Sequence, residues 1–431
     1  MAPTPGVPAP ADPVFISYRQ ADGTEITAEL AWLLRAAGIP VWRDRDDLPP
    51  GDTDARLKQA IDAGISGAVF VVTPDIANSR IVKQVEAPRL VTLHEMHVAF
   101  ALAIANAVTT AEGGTDYDAP DRLLERPSGS LRNVDQHSAD RAGLLAVIRG
   151  MVWHRIASSR ERVRDSDETF RLSVQTRNTP QVYDRTGDEL DIRIRPSTHE
   201  RLPSAEGLRD LQDVIGLLPD AVTRSGATRV RVRGGAHLSV AFAIGAAIPA
   251  SRVGVMEIVD QEGAPWASSS AADEHPAPHL RVEREGGRSV PDNTARPNVA
   301  IYVDMDPVRS DAAFDRLLEE TGSGLVEWRH VVSANGRRIR PVEAGDVAQE
   351  IAQHIRGLSY ANNNALVHVV LRCPFPLASL VGRLTNTLRC VVYEWDDSEG
   401  GGGTNFRARY VPTLRIRASA ANGAIEEVLL A

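Results

Sequence analysis

The chain has 431 residues, a formal net charge of −9 and a hydrophobic content of 43%. This length predicts two or three domains with sizeable cores. The acidic balance argues against a protein that grips long nucleic acids through their phosphate backbones. No apolar stretch is long enough to span a bilayer, so we expect no membrane partner.

The two cysteines, Cys373 and Cys390, belong to no CxxC or Cys/His ligand pattern. We therefore expect buried, reduced thiols in a cytoplasmic protein. Residues 1–11 are rich in Pro and Ala and lack the basic and apolar regions of a signal peptide, which predicts a disordered leader.

Residues 12–157 alternate apolar strands with helices, a pattern that predicts a parallel sheet covered on both faces. Gly38 is placed to end the first helix. We expect strands at 13–18, 41–42 and 67–72, helices at 25–37 and 55–63, a helix over 79–108 interrupted at Pro88, an extended loop over 111–137 and a helix over 138–157.

The charged residues 158–168 form the predicted linker, and a second series of strand-like segments follows from residue 169. The segment 264–294, rich in Ser, Pro and charge, is expected to loop out or be disordered.

Two stretches of this second region resemble each other without gaps, one starting at Arg229 and the other at Leu366. Each predicts a strand, a short loop, a helix and a strand, which is one βαβ unit. The alignment pairs Gly245 with Gly382 and also pairs the following residues: Arg252 with Arg389 and Glu257 with Glu394. We interpret this as a duplication, although two unrelated βαβ units can also look alike.

In open α/β sheets, ligands bind beyond the carboxyl ends of the strands. The predicted crevice edges are residues 234–239 in the first copy and 372–377 in the second. Gly234 and Gly235 would let a phosphate approach backbone N–H groups at a helix N-terminus.

Three motifs in the first region carry a family resemblance: Phe15 to Tyr18 (FISY), the acidic–Leu–Pro–Gly pattern of Asp47, Leu48, Pro50 and Gly51, and Val72 to Pro74. Together they resemble the TIR family over residues 12–155. The resemblance implies a flavodoxin-like α/β fold and a domain spanning 12–157.

Some TIR domains only assemble, whereas others cleave NAD⁺ at the nicotinamide glycosidic bond with one Glu after the third strand. The resemblance implies that Glu86 has this catalytic role, although Ile81 and Val82 stand where the family usually has Trp or Cys. A solvated helix carboxylate is the alternative for Glu86. NAD⁺ would be a substrate, and no cofactor is implied.

Nicotinamide is a cationic leaving group that needs no general acid, so one carboxylate can suffice to stabilise the positive charge that develops on the ribose. Ser17, Tyr18 and Arg19 follow the first strand and are candidates to line the NAD pocket, with Arg19 reaching a phosphate. Trp42 is a candidate to stack on a ring, or else a buried strand residue.

The loop Arg43–Gly51 is the predicted contact between TIR domains, through Asp46, Asp47 and Leu48. We expect no metal site. The sequence His94-Glu95-Met96-His97 is not the metalloprotease pattern, and the aspartates of the loop lack the spacing of an EF-hand.

The two repeats and the strand end at Cys390–Asp397 resemble the SAVED family, which has two fused CARF-like, Rossmann-like halves and binds cyclic oligonucleotide messengers. The resemblance implies a SAVED domain over 169–431, with halves at about 169–295 and 296–431. Candidate nucleotide-binding residues are Gly234, Gly235, His237, Arg372, Phe375, Trp395 and Arg389. Trp395 would stack on a base or else belong to the core or rim.

A TIR–SAVED fusion resembles the effectors of bacterial cyclic-oligonucleotide anti-phage signalling (CBASS). This implies a cyclic oligoadenylate activator, in the first place cyclic tri-AMP. Head-to-tail self-association into a filament would bring TIR domains together and switch on NAD⁺ depletion. Two alternatives stay open: a non-catalytic TIR adaptor with a nucleotide-sensing domain, and a hydrolase or transferase acting on another nucleotide.

Overall fold

A computed structural model describes residues 9–42, 61, 64–177, 187–268, 278–287, 297–308, 310–321, 324–397 and 408–431. The chain forms two compact units. The first comprises Met1–Leu172, Pro180–Arg193 and Ala221–Gly226, and the second comprises Ser173–Thr179, Ile194–Asp220 and Ala227–Ala431. In the described ranges, no helix is both long and apolar enough to cross a membrane.

The first unit contains a parallel sheet in the order β2-β1-β3-β4-β5. This is the flavodoxin-like order, so the predicted fold class is confirmed. Strands β1, β3 and β4 are buried along their whole length, as expected of strands with helices on both faces. The strands are β1 Val14–Ser17, β2 Val41–Trp42, β3 Gly67–Val72, β4 Ala101–Asn106 and β5 Asp135–Ser138.

Four α-helices accompany this sheet in the part of the chain that the structure describes: α1 Gln20–Ala36, α2 Ala87–Met96, α3 Ala119–Leu123 and α4 Arg141–Asp165. Gly38 follows α1 with a φ of +87°, a left-handed conformation that favours glycine, so its predicted role as the helix stop is confirmed. Its carbonyl accepts the Asp191 amide (2.8 Å) from strand β7, Leu190–Arg193.

The helix predicted over 79–108 is wrong beyond Met96, because Ala101–Asn106 forms strand β4. This apolar run is rich in alanine and fits a helix by propensity, but it lies between β3 and β5, where both faces are buried. The predicted loop over 111–137 also contains α3 and the start of β5.

Helix α4 begins at Arg141, with the Asp140 side chain accepting the Gly143 amide as an N-cap (2.8 Å). It continues to Asp165, through most of the stretch predicted as a linker. The buried Arg155 holds the helix by donating to three carbonyls, those of Ala11, Asp12 and Glu189.

The remaining strands are β6 Thr169–Gln175, β8 Arg229–Gly235, β9 Val255–Val259, β10 Pro265–Ala267, β11 Leu280–Gly287, β12 Asn298–Asp304, β13 Leu325–Ser333, β14 Leu366–Arg372, β15 Cys390–Asp396, β16 Arg409–Ile416 and β17 Ile425–Val428. The remaining helices are α5 Ala205–Val214, α6 Leu217–Ser225, α7 Leu238–Ala247, α8 Ala312–Thr321, α9 Ala344–Ala361 and α10 Phe375–Arg383.

The described residues of the second unit form two sheets. One contains β10-β9-β8-β6 as neighbours, and the other has seven strands in the order β11-β13-β12-β14-β15-β16-β17. Strands β13, β12, β14 and β15 are parallel, and antiparallel strands extend this sheet at both ends. The prediction of loop or disorder over 264–294 is wrong for β10 and β11, which pair with β9 and β13.

The two predicted βαβ units are present and have nearly the same bounds. The segment β8-α7-β9 aligns with β14-α10-β15, and at the 137-residue offset both the first strands and the helix starts coincide. The helix N-caps, His237 and Pro374, even share the same backbone dihedrals, φ −58° and ψ 145°.

The equivalent helices α7 and α10 pack against each other through the equivalent glycines. A Cβ on Gly245 would overlap the carbonyl oxygen of Ser379, and a Cβ on Gly382 would overlap that of Phe242. Because Ser379 and Phe242 are themselves equivalent in the repeat, the two contacts are related by an internal pseudo-twofold axis. The shared glycines of the alignment therefore have a packing role.

Candidate functional site

Glu86 lies at the point where a π-helical turn, Val82–Glu86, passes into α2. The Ala87 amide reaches back to the Val82 carbonyl, because Pro88 offers no amide and would crowd the carbonyl of residue 84 in a continuous α-helix. The Glu86 side chain is buried, with 6% exposure. Single π turns of this kind often occur at functional sites.

Ser17 is the last residue of β1 and is also buried. Its Oγ donates a hydrogen bond of 2.5 Å to Oε2 of Glu86. The structure thus brings two predicted site residues together at the carboxyl edge of the sheet, although 69 positions separate them in the sequence. A charge-assisted bond of this length fixes the direction of the carboxylate.

Arg19 is tied to the neighbouring loop. Its guanidinium lies 2.5 Å from the Asp75 carboxylate in the 3₁₀ turn Pro74–Asn78 that follows β3. Asp22 accepts hydrogen bonds from the Thr73 hydroxyl (2.7 Å) and the Asp75 amide (2.9 Å). These contacts fasten the start of α1 to the loop after β3, so Arg19 is engaged with a carboxylate in this structure.

The two aromatic candidates are half-buried. Tyr18 lies against the first turn of α1, at Gly23. Trp42, at the end of β2, packs on the core cluster that includes Phe15 and Val82. Trp42 therefore contributes to the core, which was the alternative reading of this residue. The predicted contact residues Asp46, Asp47 and Leu48, like the rest of Arg43–Gly51, lie outside the described residues.

A second candidate site lies in the second unit, beyond the carboxyl ends of β8 and β14. A cavity of about 950 Å³ opens there, at the upper end of the range of about 300–1,000 Å³ for small-molecule sites. Five of the predicted nucleotide-binding residues line it: Gly234, Gly235, Arg372, Phe375 and Trp395.

Arg372 faces this cavity but already has acidic partners. Its guanidinium lies 3.0 Å from Asp304 and 3.5 Å from Asp306, and it also donates to the Val308 carbonyl. Arg389, the other predicted arginine, pairs with Glu426 at 2.7 Å just before β15, and it is not among the residues that line the cavity.

The prediction of His237 as a phosphate contact needs correction. The ring is buried, with 3% exposure. Nδ1 lies 2.9 Å from the Thr176 hydroxyl and Nε2 lies 3.1 Å from the Glu200 carbonyl. Burial lowers the His237 pKa to about 4, so the ring is neutral at pH 7 and holds the loop before α7 rather than a ligand.

One backbone amide at the N-terminus of α7, the predicted phosphate-binding position, is already hydrogen-bonded. Glu394, buried in β15, accepts the Ser239 amide in the first turn of α7 with its Oε1 (2.6 Å). A carboxylate thus occupies a position where a phosphate would bind an amide. Burial raises the Glu394 pKa to about 7. The repeat pairs Glu394 with Glu257, but nothing in the sequence indicated this role.

An aromatic wall borders the cavity. The Trp395 and Tyr410 rings meet edge to face at 5.4 Å, and both residues line the cavity.

Asp304, Asp311 and His330 offer donor atoms within 4.8 Å of one another, a spacing compatible with a metal ion. Arginines already stand beside both carboxylates, since Arg372 is 3.0 Å from Asp304 and Arg284 is 3.8 Å from Asp311. That positive charge disfavours a cation.

Two family models match the chain. Residues 14–107 match the TIR domain, and residues 211–416 match SAVED, the SMODS-associated and fused to various effectors sensor domain. The chain is a fusion of a TIR domain and a SAVED domain. The Ser17–Glu86 contact lies in the TIR match, and the repeated βαβ units lie in the SAVED match.

Among curated proteins, the NAD(+) hydrolase PdTIR of Paracoccus denitrificans (strain Pd 1222) is 40% identical over 62 residues. The similarity covers 14% of the TIR–SAVED chain and spans about a fifth (20%) of that relative's length.

Among solved structures, the chain shows a likeness to the Cap4 SAVED/CARF-domain-containing receptor of Acinetobacter baumannii with the cyclic trinucleotide 2′3′3′-cAAA. Its TM-score is 0.44 at 12% identity, and the likeness covers 86% of each chain. The Cap4 receptor of Moraxella osloensis has a TM-score of 0.41 at 11% identity, covering 91% of this chain and 97% of that one.

Proposed function

We propose that this TIR–SAVED protein is an NAD⁺ glycohydrolase that a cyclic oligonucleotide activates. The observation that carries the enzymatic part is the buried Glu86 carboxylate, held by Ser17 at 2.5 Å. A ligand beyond the carboxyl ends of the strands would meet this pair. The partial similarity to an NAD(+) hydrolase supports the same reaction.

In this reaction the bond between the nicotinamide nitrogen and C1′ of the ribose breaks, and its electron pair stays on nicotinamide. Water adds to C1′ and releases a proton, which gives nicotinamide and ADP-ribose. Glu86 stabilises the positive charge that develops on the ribose and accepts hydrogen bonds from its hydroxyls. Ser17 orients Glu86, and Tyr18 borders the ring-binding space. Arg19 contacts a phosphate of NAD⁺ only after its ion pair with Asp75 breaks.

The activator occupies the 950 Å³ cavity of the SAVED domain. Gly234 and Gly235 let the ligand backbone approach the protein backbone closely. Phe375 and Trp395 offer ring faces for bases, and stacking of this kind is worth about 1–3 kcal/mol per base. The matching SAVED family is described as a sensor domain, which supports a ligand-binding role for this domain. We assign the ligand to the cyclic oligoadenylates, with cyclic tri-AMP as the first candidate.

Activation proceeds by self-association. Ligand-bound SAVED domains align head to tail, and a heterologous contact that does not close gives a filament. Neighbouring TIR domains then meet through Arg43–Gly51 and complete the Glu86 site. The free thiols of Cys373 and Cys390 fit a reducing cytoplasm. There the enzyme would deplete NAD⁺ as part of CBASS anti-phage defence.

The test is fluorescence of an etheno-NAD analogue with the full chain and a panel of cyclic di-, tri- and tetranucleotides. We expect a steady rise in fluorescence with one cyclic oligoadenylate and none without ligand. Chromatography should show free nicotinamide, which distinguishes NAD⁺ cleavage from hydrolysis of another nucleotide. Ligand binding without any NAD⁺ loss would instead identify a non-catalytic adaptor.

Light scattering tests the assembly step separately. We expect the mass of the particles to grow when cyclic tri-AMP is added. A constant mass during active NAD⁺ cleavage would contradict activation by self-association and leave the enzymatic assignment intact.

A further inference from the structure

The SAVED cavity must neutralise the phosphates of any nucleotide that it binds. Among the described residues, four arginines line it: Arg177, Arg201, Arg338 and Arg372. These arginines differ in whether their guanidinium groups already form ion pairs with neighbouring carboxylates. That difference identifies the cations that remain for a ligand.

The helix N-termini offer little to a phosphate here. In α7 the Ser239 amide is bound to Glu394 (2.6 Å). In α10, Pro376 occupies the position equivalent to Ser239, and proline has no amide proton. At this equivalent position, the amide is thus already bound to a carboxylate in one half and missing in the other.

Two of the four arginines are paired with acids. Arg372 lies 3.0 Å from the buried Asp304 and also near Asp306. Arg201 lies 3.3 Å from Asp397, which itself lines the cavity. A ligand phosphate would have to compete with these carboxylates.

The other two are not paired in this way. Arg338 is exposed at the cavity and stands between Arg337 and Arg340, which both contact Glu343 (2.6 and 2.7 Å). Arg177 is exposed at the cavity, and its charge partly offsets the burial that raises the Glu394 pKa. Within the described ranges, neither guanidinium has a carboxylate at ion-pair distance.

We propose that Arg177 and Arg338 are the phosphate-binding residues of the SAVED cavity. Arg177 belongs to the first predicted half and Arg338 to the second, and we assign them to two separate phosphates of one ligand. This inference rests on the proposed nucleotide-binding function. It makes the ligand class an oligonucleotide with two or more phosphodiesters and disfavours a mononucleotide.

The experiment is calorimetric titration of the full-length protein with cyclic tri-AMP and with AMP. Arg177→Gln and Arg338→Gln should each weaken cyclic tri-AMP binding about tenfold or more, since a charge-assisted hydrogen bond is lost. The losses should multiply in the double variant, because the two residues bind separate phosphates. AMP should bind at least about tenfold more weakly than cyclic tri-AMP, because its single phosphate can engage only one of the two arginines.

Arg337→Gln is the matched control, because Arg337 is a neighbouring exposed arginine whose acid, Glu343, keeps Arg340 as a partner. It should bind like the wild type. Arg338→Lys should lose less than Arg338→Gln, because it keeps the charge. Thermal melting of each variant should match the wild type, since the replaced side chains are exposed.

Wild-type affinity in both Gln variants would overturn this assignment while leaving the proposed function standing. Failure of the wild-type protein to bind any cyclic oligonucleotide would overturn the proposed function and, with it, the assignment.

Discussion

The Ser17 hydroxyl donates a 2.5 Å hydrogen bond to the Glu86 carboxylate, and both side chains are buried. The bond joins the end of β1 to the π turn before α2. A buried carboxylate is costly to leave without donors, so this bond both stabilises the charge and restricts its direction. It makes Ser17 a positioning residue for the proposed chemistry.

Replacing Ser17 by alanine should lower kcat for NAD⁺ cleavage about 10- to 100-fold, because a hydrogen bond to a charged group is worth about 1.5–3 kcal/mol. KM should change little, since the lost bond is to Glu86 and not to the substrate. Steady-state kinetics of the ligand-activated enzyme measures both parameters.

Ser66→Ala is the matched control. Ser66 also donates a side-chain hydrogen bond, to the Asp12 carbonyl at 2.7 Å, but it lies just before β3 at the amino edge of the sheet. Its kcat should stay near the wild-type value. An unchanged kcat in Ser17→Ala would contradict a positioning role for Ser17.

The sequence predicted strands β1, β2 and β3 of the TIR sheet, because strand periodicity and the FISY motif are local signals. It did not predict strand β4 at Ala101–Asn106. Alanine is a good helix former, and only the tertiary position between β3 and β5 overrides that propensity. Nor did it predict the Arg19–Asp75 pair, which depends on how two loops meet.

The helix pair α7–α10 should be intolerant of side chains at its two equivalent glycines. Gly245→Ala or Gly382→Ala would force a Cβ into a backbone carbonyl of the other helix. We expect a loss of about 3 kcal/mol in the free energy of unfolding, from overpacking. Urea denaturation followed by circular dichroism measures this change.

Gly357→Ala is the control for that comparison. Gly357 lies in α9, with nothing within 4 Å of an added Cβ. The substitution should stabilise the protein by about 0.5–1 kcal/mol, the usual gain for alanine over glycine in a helix. Equal effects at Gly357 and Gly382 would contradict the close-packing account.

His237 should make the SAVED unit sensitive to mild acid. Its folded pKa of about 4 lies below the ordinary 6.5, because burial disfavours the charged ring. Above pH 6.5 the ring is neutral in both the folded and the unfolded state, and the fold has its full stability. As the pH falls from 6.5 toward 4, the unfolded state binds a proton that the folded state does not, so the free energy of unfolding decreases. About 2 kcal/mol should be gone by pH 5.

Unfolding of the wild type and of His237→Gln between pH 7.5 and 5 tests this expectation. The variant should lose about 2 kcal/mol less over this range. His199→Gln, at an exposed histidine of the same unit, should follow the wild type. Parallel curves for wild type and His237→Gln would show that His237 does not carry the effect.

In the SAVED region the ungapped repeat predicted both βαβ units almost to the residue. It could not show which residues face the cavity, because that depends on neighbouring strands and loops. His237 turned inward onto Thr176 and Glu200, whereas Arg177 and Arg338 lie in loops whose sequence gave no signal. Glu394 accepts a hydrogen bond from the amide of Ser239, which lies 155 positions away in the sequence.

The most direct test of the central claim is NAD⁺ consumption by Glu86→Gln beside the wild type, with cyclic tri-AMP present. Glu95→Gln, at an exposed carboxylate on the same helix α2, is the control. We predict ligand-stimulated loss of NAD⁺ in the wild type and in Glu95→Gln, and a fall of at least about 1,000-fold in Glu86→Gln, the scale of losing a charge that stabilises the transition state. NAD⁺ loss at the wild-type rate in Glu86→Gln would contradict the account.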